Sequence, residues 1–507
     1  MLRNDKVKPI EELTELLDRI RTDKKIVLCH GVFDLLHVGH IRHFEHAKKL
    51  GDILVVTLTA DRYVNKGPHR PAFPEDLRAE SLAALDCVDY VAINRWPLAT
   101  EPIERLRPHV YVKGSDYKDK DDDRTGGITL EENAVRSIGG ELAFTDDITF
   151  SASNLINRHL PVFSSEVSDY IAEFSSRHSI DEVTGYLENA KSVSVLVIGE
   201  AIIDEYRYCE AIGKSSKEPM LAMRHLSTEK FAGGILAVGN HVASFADSVG
   251  LVTFLGTEET QESFVREHLN NEISQTFLYR KDAPTIVKQR FVENYFFTKM
   301  LDIYQMSAGT LDADDNARLC ATLEESVPRF DAVVVVDFGH GMMSHEAIDI
   351  ICDKARFLAV NAQSNAGNLG YHTISRYPRA DYICMAENEM RLEARDRHSE
   401  LYGMTEKVAR QLNARRASVT RGKHGSLCYS EEEGFVEIPA FAGRVVDRMG
   451  AGDAYLSVTS LCLAQDAPIE VAGFIGNAVG AQAVATVGNR EPVQRVPLIR
   501  HIEHILK

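Results

Sequence analysis

The sequence has no Cys-x-x-Cys pair, and its eight cysteines are scattered over 507 residues. Closely spaced thiolates of a structural zinc site are therefore missing, and the pattern favours a reducing compartment, so we expect a cytoplasmic location. The first eight residues are charged and contain no apolar core of a secretory signal. The sequence also lacks self-similarity at the periods of solenoid repeats, which excludes that architecture.

Positive charge is in deficit, with 57 Lys and Arg against 75 Asp and Glu and a net charge of −18. This balance argues against nucleic acid or an anionic membrane as the main partner, and no basic amphipathic helix for membrane binding is evident. One apolar stretch, 471–488, lacks charged residues, but it contains Asn477, Gln482 and three glycines. We interpret it as a buried helix rather than a membrane span.

The length exceeds what one core accommodates, so we expect two α/β domains. Apolar runs alternate with helical patterns, which predicts parallel sheets, the first of the dinucleotide-binding type. The predicted domains are 1–160 and 191–507, joined by a polar helical connector over 161–190. Strands are expected at 26–29, 53–58, 88–93, 110–112, 142–144, 193–199, 251–255, 333–336, 357–360, 382–385 and 417–420.

A small-residue turn followed by an acid is the most informative motif, at Gly450-Ala451-Gly452-Asp453. Small residues at a helix start leave backbone N–H groups free to bind an anion. A carboxylate one residue further on can take a proton from an attacking hydroxyl. Together these features indicate phosphoryl transfer to an alcohol, although the bare motif is also compatible with a plain glycine turn.

Two histidines, His37 and His40, lie three residues apart directly after the first expected strand. At a helix start this spacing places both imidazoles on one side, where they can reach the phosphates of a nucleotide. Gly39 between them lets a phosphate approach the backbone. Taken alone, the pair is equally explained by surface histidines or by a zinc site, although no convincing further zinc ligands lie nearby.

The stretch from His30 to His40 resembles the signature of the cytidylyltransferase-like nucleotidyltransferases. Further matches over residues 24–158 are Asn65-Lys66-Gly67-Pro68, Arg70-Pro71, Arg78, Lys113-Gly114-Ser115-Asp116-Tyr117 and Ser151-Ala152-Ser153. The resemblance implies that a substrate phosphate attacks the α-phosphate of CTP or ATP, and that pyrophosphate leaves. It implies that the transferring phosphate is stabilised by His37, His40 and Lys66, and that the nucleotide is bound by Phe33, Gly39, Lys113, Ser151 and Ser153.

Residues 191–495 resemble the ribokinase-like sugar kinases. The matching motifs are Gly199-Glu200-Ala201-Ile202-Ile203-Asp204, Ala232-Gly233-Gly234 with Asn240, Thr420-Arg421-Gly422-Lys423-His424-Gly425, the 450–453 turn, and Asn477 with Gly488. The resemblance implies Asp453 as catalytic base and the amides of Gly450, Ala451 and Gly452 as the anion hole. It implies a sugar site at Asp204, Gly233, Gly234 and Asn240, and a nucleotide site at Thr420, Gly422, Gly425 and Asn477.

Two basic residues, Lys288 and Arg290, alternate on an expected strand. Such a pair is ordinarily a solvated strand face. The resemblance to heptose kinases adds a second interpretation, in which both contact a phosphate of the substrate.

The sequence departs from the sugar-kinase pattern at two places. Arg448 and Met449 replace the small hydroxyl residues common between the two acids of the turn. The Asn-x-x-Glu motif, linked to Mg²⁺, is imperfect because Asn388 is followed at that spacing by Arg391. Glu387 or Glu389 are candidate substitutes, and Asp447 is expected near the phosphates or a monovalent cation.

The combination looks like the bifunctional heptose-phosphate kinase/nucleotidyltransferases, with the domains in reversed order. It implies a cytoplasmic enzyme, expected as a homo-oligomer, that uses ATP with Mg²⁺ to phosphorylate the anomeric hydroxyl of a sugar phosphate and then couples the 1-phosphate to AMP or CMP. An alternative is an active transferase with a sugar-sensing kinase-like domain. A non-enzymatic scaffold is disfavoured because His37, His40, Lys66 and Asp453 are all present.

Overall fold

The computed structural model describes residues 5–64, 71–114, 127–145, 163–307 and 309–506. The chain separates into two compact units, residues 1–164 and 165–506. The first unit contains one sheet and the second contains two, and each unit is described by itself.

The first unit is a five-stranded, fully parallel sheet with strand order β3-β2-β1-β4-β5. The strands are β1 Ile26–Gly31, β2 Ile53–Thr59, β3 Tyr90–Asn94, β4 Val110–Gly114 and β5 Glu141–Thr145. The helices are α1 Ile10–Ile20, α2 Val38–Lys48, α3 Glu75–Ala83, α4 Thr100–Leu106 and α5 Gly127–Ser137. The predicted sheet of the dinucleotide-binding type is confirmed.

Helices cover both faces of this sheet, because its central strands carry apolar residues in unbroken runs. One face packs Val27, Val56 and Val112 against Phe44 of α2 and Leu82 of α3. The opposite face packs a separate cluster that includes residues of α1, α4 and α5. The order places β1 in the centre, so the loop after β1 opens at the carboxyl edge of the sheet, where ligands bind in such folds.

The second unit contains a nine-stranded sheet with order β10-β9-β6-β13-β14-β15-β16-β17-β18. Its strands are β6 Ser194–Gly199, β9 Ser248–Glu258, β10 Ser274–Pro284, β13 Ala332–Asp337, β14 Phe357–Ala362, β15 Tyr382–Ala386, β16 Arg416–Thr420, β17 Ser426–Ser430 and β18 Gly434–Ile438. The first seven strands in this spatial order are parallel to one another, whereas β17 pairs antiparallel with both β16 and β18 at one end of the sheet.

A second, smaller sheet with order β12-β11-β7-β8 is called the small sheet below. Its strands are β7 Ala201–Lys214, β8 Leu221–Gly234, β11 Ile286–Glu293 and β12 Thr298–Gln305. The helices of this unit are α6 Ser165–Arg177, α7 Ile180–Asn189, α8 Ile235–Ala243, α9 Glu262–His268, α10 Ala313–Ser326, α11 His345–Lys354, α12 Glu387–Ala394, α13 Leu401–Gln411, α14 Ala451–Leu463, α15 Ile469–Ala483 and α16 Arg495–Leu506.

The segment expected as a connector is helical, and both of its described helices belong to the second unit. Phe174 of α6 stacks on Phe474 of α15 with ring centroids 4.2 Å apart. Arg177 forms an ion pair with Glu470 at 2.8 Å. An apolar contact and an ion pair therefore hold α6 on the core of the second unit.

Most of the apolar stretch 471–488 belongs to a largely buried helix, α15, which packs against α14. In the described part of the chain, no helix combines the length and the apolar character needed to cross a membrane. The strands predicted from apolar runs are present. Strands β7, β8, β10, β12, β17 and β18 were not predicted. Strands β10, β12 and β18 have no buried run, and β7 and β8 are buried only at one end. Strand β17 is buried throughout but is only five residues long.

Candidate active sites

The histidine motif of the first unit forms the turn from β1 into α2. His37 is the N-cap of α2, and its Nδ1 accepts a hydrogen bond from the Gly39 N–H at 3.1 Å. Because Nδ1 is the acceptor, the proton of the neutral ring lies on Nε2. Nε2 is buried and has no hydrogen-bond partner among the described residues. Burial also lowers the pKa of His37, so the ring presents a neutral N–H donor.

The two histidine rings stack with centroids 4.0 Å apart, and Phe33 meets His40 edge-on at 5.4 Å. Phe33 adopts a left-handed backbone conformation with φ of 49°. A Cβ added at Gly31 would lie 2.9 Å from the Phe33 ring. The glycine before Phe33 therefore lets its ring fold back and support His40.

A buried arginine, Arg78 on α3, fixes the same turn from behind. Its guanidinium donates to the Val32 carbonyl at 2.5 Å, to the Thr59 carbonyl at 2.9 Å and to the Asp61 carboxylate at 2.6 Å. Asp34 accepts hydrogen bonds from the backbone N–H groups of residues 72 and 73. These contacts tie the loops after β1 and β2 to one another.

Lys113, the penultimate residue of β4, is buried beside Glu131, with Nζ 2.8 Å from the carboxylate. Burial lowers the pKa of His30 to about 3, and the nearby charge of Lys113 contributes to this shift. His30 therefore stays neutral and bonds Thr57 of β2 at 3.0 Å. The predicted residues Lys66, Ser151 and Ser153 lie outside the described residues.

In the second unit, the 450–453 motif begins helix α14 as predicted from the sequence. Gly450 is its N-cap in the left-handed conformation, with φ of 79°. A Cβ at this position would lie 2.0 Å from Oδ1 of Asn489, so only glycine fits. Asp453 is in the first turn, and its carboxyl group faces a cleft of about 240 Å³.

The environment of Asp453 raises its pKa to about 7, chiefly because the carboxyl group is removed from water. Gln363, which follows β14, opposes this by donating from Nε2 to Oδ1 of Asp453 at 2.7 Å. Sequence reasoning missed Gln363, since no motif connects it with a residue 90 positions away. A carboxylate with a pKa near neutrality is suited to act as a general base.

The cleft is lined by 19 residues from both sheets and the connecting loops. They are Ile202, Asp204, Gly234, Lys288, Arg290, Phe338, Asn361, Gln363, Cys384, Met385, Ala386, Glu389, Thr420, Arg448, Met449, Gly450, Gly452, Asp453 and Asn489. Predicted substrate, phosphate and nucleotide residues thus meet around one cavity. Arg448, which interrupts the family pattern, is on its wall.

Asp204 on β7 faces this cleft and forms a buried ion pair with Arg290 on β11. A Cβ at Gly233 would lie 2.3 Å from Oδ2 of Asp204, so the glycine makes room for the carboxylate. Burial opposes the charge on Arg290, but Asp204 still raises its pKa above the usual value.

Lys288 is adjacent to this pair and is also buried. Its ammonium lies 4.9 Å from the Tyr304 ring centroid and 5.7 Å from that of Phe338. Burial lowers its pKa, while Asp204 opposes the change. Both basic side chains thus point into the cleft rather than along a solvated strand face.

Glu389 is the carboxylate of the α12 region that lines the cleft. Its oxygens accept hydrogen bonds from the N–H groups of Ala386 at 2.8 Å and Ser364 at 3.1 Å, and burial raises its pKa. Asn388 is exposed, and Glu387 is paired with Arg391. Of the candidates weighed from the sequence around Asn388, Glu389 is the one that lines the cleft.

The predicted nucleotide loop forms the turn between β16 and β17. Thr420 lines the cleft, and Gly422 and Gly425 have φ of 58° and 77°. Asn477 on α15 donates to the carbonyls of Ile438 at 3.0 Å and Pro439 at 3.2 Å. It therefore fixes the chain beyond β18, next to this turn.

Asn240 was predicted at the substrate, but the structure places it elsewhere. Its side chain donates to the His268 carbonyl at 2.8 Å and accepts from the Asn270 N–H at 2.9 Å. It is not among the residues that line the cleft. The position six residues after Gly234 faces the other side of α8, where it holds the loop after α9.

Two family models match the chain. The model of the pfkB family carbohydrate kinases matches residues 193–495, and the cytidylyltransferase-like model matches residues 28–140. The cytidylyltransferase-like match precedes the kinase match, in agreement with the order inferred from the motifs.

Curated relatives include the bifunctional protein HldE of Syntrophotalea carbinolica, which is 38% identical over 161 residues, covering 31% of each chain. The bifunctional protein HldE of Aliarcobacter butzleri is 44% identical over 121 residues, covering 23% of this chain and 25% of that one. The matches therefore span about a third or less of the length of these relatives.

Among solved structures, the fold is similar to phosphofructokinase-2 from Escherichia coli in complex with potassium. The TM-score is 0.51 at 16% sequence identity, and the similarity covers 62% of this chain and all of that one. This likeness supports the ribokinase-like fold of the second unit.

Proposed function

Since the chain belongs to the pfkB family of carbohydrate kinases and also contains a cytidylyltransferase-like domain, we propose that it makes a nucleotide-activated sugar in two steps. The second unit phosphorylates the anomeric hydroxyl of a sugar phosphate. The first unit then joins the resulting 1-phosphate to a nucleoside monophosphate from ATP or CTP. The first product is the second substrate, which gives the fusion a chemical reason.

The observation that carries the kinase step is Asp453 at the start of α14, facing the cleft. Its carboxylate accepts the proton of the attacking sugar hydroxyl. The N–H groups at the start of α14 point at the transferring phosphoryl group and stabilise its negative charge. Arg448 on the cleft wall adds positive charge next to them.

The basic pair Lys288 and Arg290 supports a phosphorylated substrate. Arg290 is already matched by Asp204, so Lys288 provides the additional positive charge for an anionic group. The carboxylate of Asp204 remains available to sugar hydroxyls through Oδ2. A heptose 7-phosphate-like sugar has both hydroxyls and a distal phosphate.

Kinases and nucleotidyltransferases of these families use nucleoside triphosphates with a divalent metal. Glu389 fits such a metal, because each of its oxygens accepts one backbone hydrogen bond and retains acceptor capacity toward the cleft. When bound, Mg²⁺ would offset charge on the phosphates of ATP. Hard cations of this kind prefer carboxylate and water oxygens.

In the transfer step, His37 and His40 act by position and charge without forming a covalent intermediate. The Nε2–H of His37 is held ready by the Gly39 contact and donates to the α-phosphate as pyrophosphate departs. Lys66, Lys113, Ser151 and Ser153 complete this proposed site, together with Phe33 beneath His40.

The test offers ATP and CTP to the full chain with heptose 7-phosphate and a panel of other sugars and sugar phosphates. ADP and pyrophosphate are measured separately for the wild type, Asp453→Ala and His37→Ala. We expect Asp453→Ala to lose ADP release by about a hundredfold or more, and His37→Ala to lose pyrophosphate release.

Each variant controls for the other. Asp453→Ala should still release pyrophosphate from a supplied sugar 1-phosphate, and His37→Ala should still release ADP. If pyrophosphate forms from a supplied sugar 1-phosphate while no sugar or sugar phosphate of the panel yields ADP, the two-step proposal fails for these substrates. The kinase-like unit is then either a sensor or acts on a substrate outside the panel.

A further inference from the structure

Asp447 stands six residues before Asp453, where the sequence suggested a metal or phosphate role. In the structure its carboxylate is buried and accepts four hydrogen bonds. Oδ1 accepts from Lys299 Nζ at 2.5 Å and from the Met449 N–H at 3.1 Å. Oδ2 accepts from the Tyr206 hydroxyl at 2.7 Å and from the Gly488 N–H at 3.1 Å.

This coordination does not fit a metal ligand. A carboxylate has about four lone-pair positions, and here two donors occupy each oxygen. The side chain is only 2% exposed. The Lys299 and Tyr206 hydrogen bonds outweigh the effect of burial and hold the pKa of Asp447 below its usual value. The group is an ionised acceptor whose counter-charge is the lysine ammonium.

The four donors come from separate parts of the fold. Lys299 lies on β12 and Tyr206 on β7, so two strands of the small sheet reach the same carboxylate. Met449 belongs to the turn that carries Gly450, and Gly488 belongs to the segment after α15. Asp447 therefore links the small sheet directly to the phosphate-binding turn.

A second set of contacts runs in parallel. Arg490 makes two hydrogen bonds, at 2.8 and 2.7 Å, to Glu229 on β8 of the small sheet. Its neighbour Asn489 packs directly against Gly450. Tyr206, Phe231 and Val292 form an apolar cluster of the small sheet, with Val487 packed against it. The segment 487–490 thus lies between the small sheet and the phosphate-binding turn.

We propose that Lys299 is a positioning residue for phosphoryl transfer, and that Asp447 is the latch by which the small sheet holds the phosphate-binding turn in place. This inference rests on the proposed kinase function. The small sheet also carries Asp204, Lys288 and Arg290, which face the substrate. The latch would therefore align the substrate side of the cleft with the side that stabilises the transferred phosphate.

The first test measures hydrogen exchange of the full chain by mass spectrometry, which requires no substrate. In Lys299→Met we expect faster exchange in β12 and also in the turn around Met449 and Gly450. Lys214→Met is the matched control, because Lys214 is an exposed lysine on β7 of the same sheet. Faster exchange confined to β12, with the turn unchanged, would overturn the latch.

The second test is a double-mutant cycle on the kinase step, with Lys299→Met, Asp447→Asn and the double variant. We expect kcat for ADP release to fall by about ten- to a hundredfold in Lys299→Met, the value of one charge-assisted hydrogen bond. The double variant should be no slower than Asp447→Asn. Additive losses would show that the two residues act separately and would contradict the proposal.

A third experiment distinguishes the proposed latch role of Asp447 from a role as a ligand of a monovalent cation. Binding of ADP to the full chain is measured in potassium chloride and in choline chloride. We expect equal affinities, because the Lys299 ammonium already neutralises Asp447. A potassium dependence that disappears in Asp447→Asn would identify Asp447 as a cation ligand and overturn the proposal. If no sugar in any panel yields ADP, the exchange and binding results still stand, so failure of the proposed function is recognised separately.

Discussion

At the scale of single residues, the kinase site depends on how one carboxyl group is solvated. Asp453 is an ordinary aspartate by sequence, yet its position at the cleft raises its pKa to about 7. The charges of Asp204 and Glu389 raise this pKa further, while the hydrogen bond from Gln363 and the charge of Lys288 lower it. The balance leaves a base that is readily protonated just below neutral pH.

The pH dependence of ADP release tests this balance. A general base must be deprotonated, so kcat/KM should fall about tenfold per pH unit below pH 7 and level off above it. An unshifted aspartate would instead keep full activity down to about pH 4. Measurement of kcat/KM between pH 5 and 9 distinguishes the two, and a profile flat to pH 5 would contradict the assignment.

Gln363 should influence the pH below which kcat/KM falls. Gln363→Leu removes the donor that favours the ionised form of Asp453, so the pKa of Asp453 should rise and the fall in kcat/KM should begin at a higher pH. At pH 6 we expect a loss of about tenfold in kcat/KM, with partial recovery at pH 9. Gln411→Leu, an exposed position on α13, is the control. An equal loss at every pH would indicate damage to the fold instead.

At the scale of elements, the start of α14 is the most constrained feature. Gly450 combines a positive φ with close packing on Asn489. Gly450→Ala should therefore displace the phosphate-binding turn and lower ADP release by about a hundredfold or more. Pyrophosphate release from a supplied sugar 1-phosphate should be unaffected.

The control for this substitution is Gly403→Ala on α13, where an added Cβ meets no atom within 4 Å. Alanine there should preserve activity and slightly stabilise the helix. If Gly450→Ala retains full ADP release, the turn is not positioned by this contact.

The sequence predicted some elements well and others not at all. Strands such as β13, Ala332–Asp337, are buried along their whole length, so their apolar runs reveal them. Strand β12 has exposed residues at most positions and gave no such signal. Its place depends on pairing with β11, a contact that exists only after the chain has folded.

At the scale of the whole molecule, two units with complementary proposed activities share one chain. If the second unit supplies the substrate of the first, the two products must appear in order. With sugar phosphate and nucleotide both present, pyrophosphate release should lag behind ADP release. The lag should vanish when a sugar 1-phosphate is supplied.

Rapid-quench measurement of both products over a single time course checks this order. The matched control is the Asp453→Ala variant, which should give no pyrophosphate from sugar phosphate but normal release from sugar 1-phosphate. Simultaneous appearance of both products from the first time point would argue against a sequential pathway.

The sequence by itself determined the two α/β units, their order, the histidine turn and the glycine-rich start of α14. These follow from local patterns, because apolar runs, caps and small-residue turns are encoded by neighbouring residues. The resemblance to sugar kinases also brought Asp204, Lys288, Arg290 and Asp453 into the predicted site. It misplaced Asn240, whose helix face could not be assigned from spacing to Gly234 alone.

Only the tertiary structure decided which distant residues meet. Gln363 reaches Asp453 across 90 positions, and Lys299 reaches Asp447 across 148. The tertiary structure also places Glu389, rather than Asn388, on the wall of the cleft. Such pairings arise where separate strands and turns converge, and the burial that shifts the pKa of Asp453 exists only once those elements have closed around it.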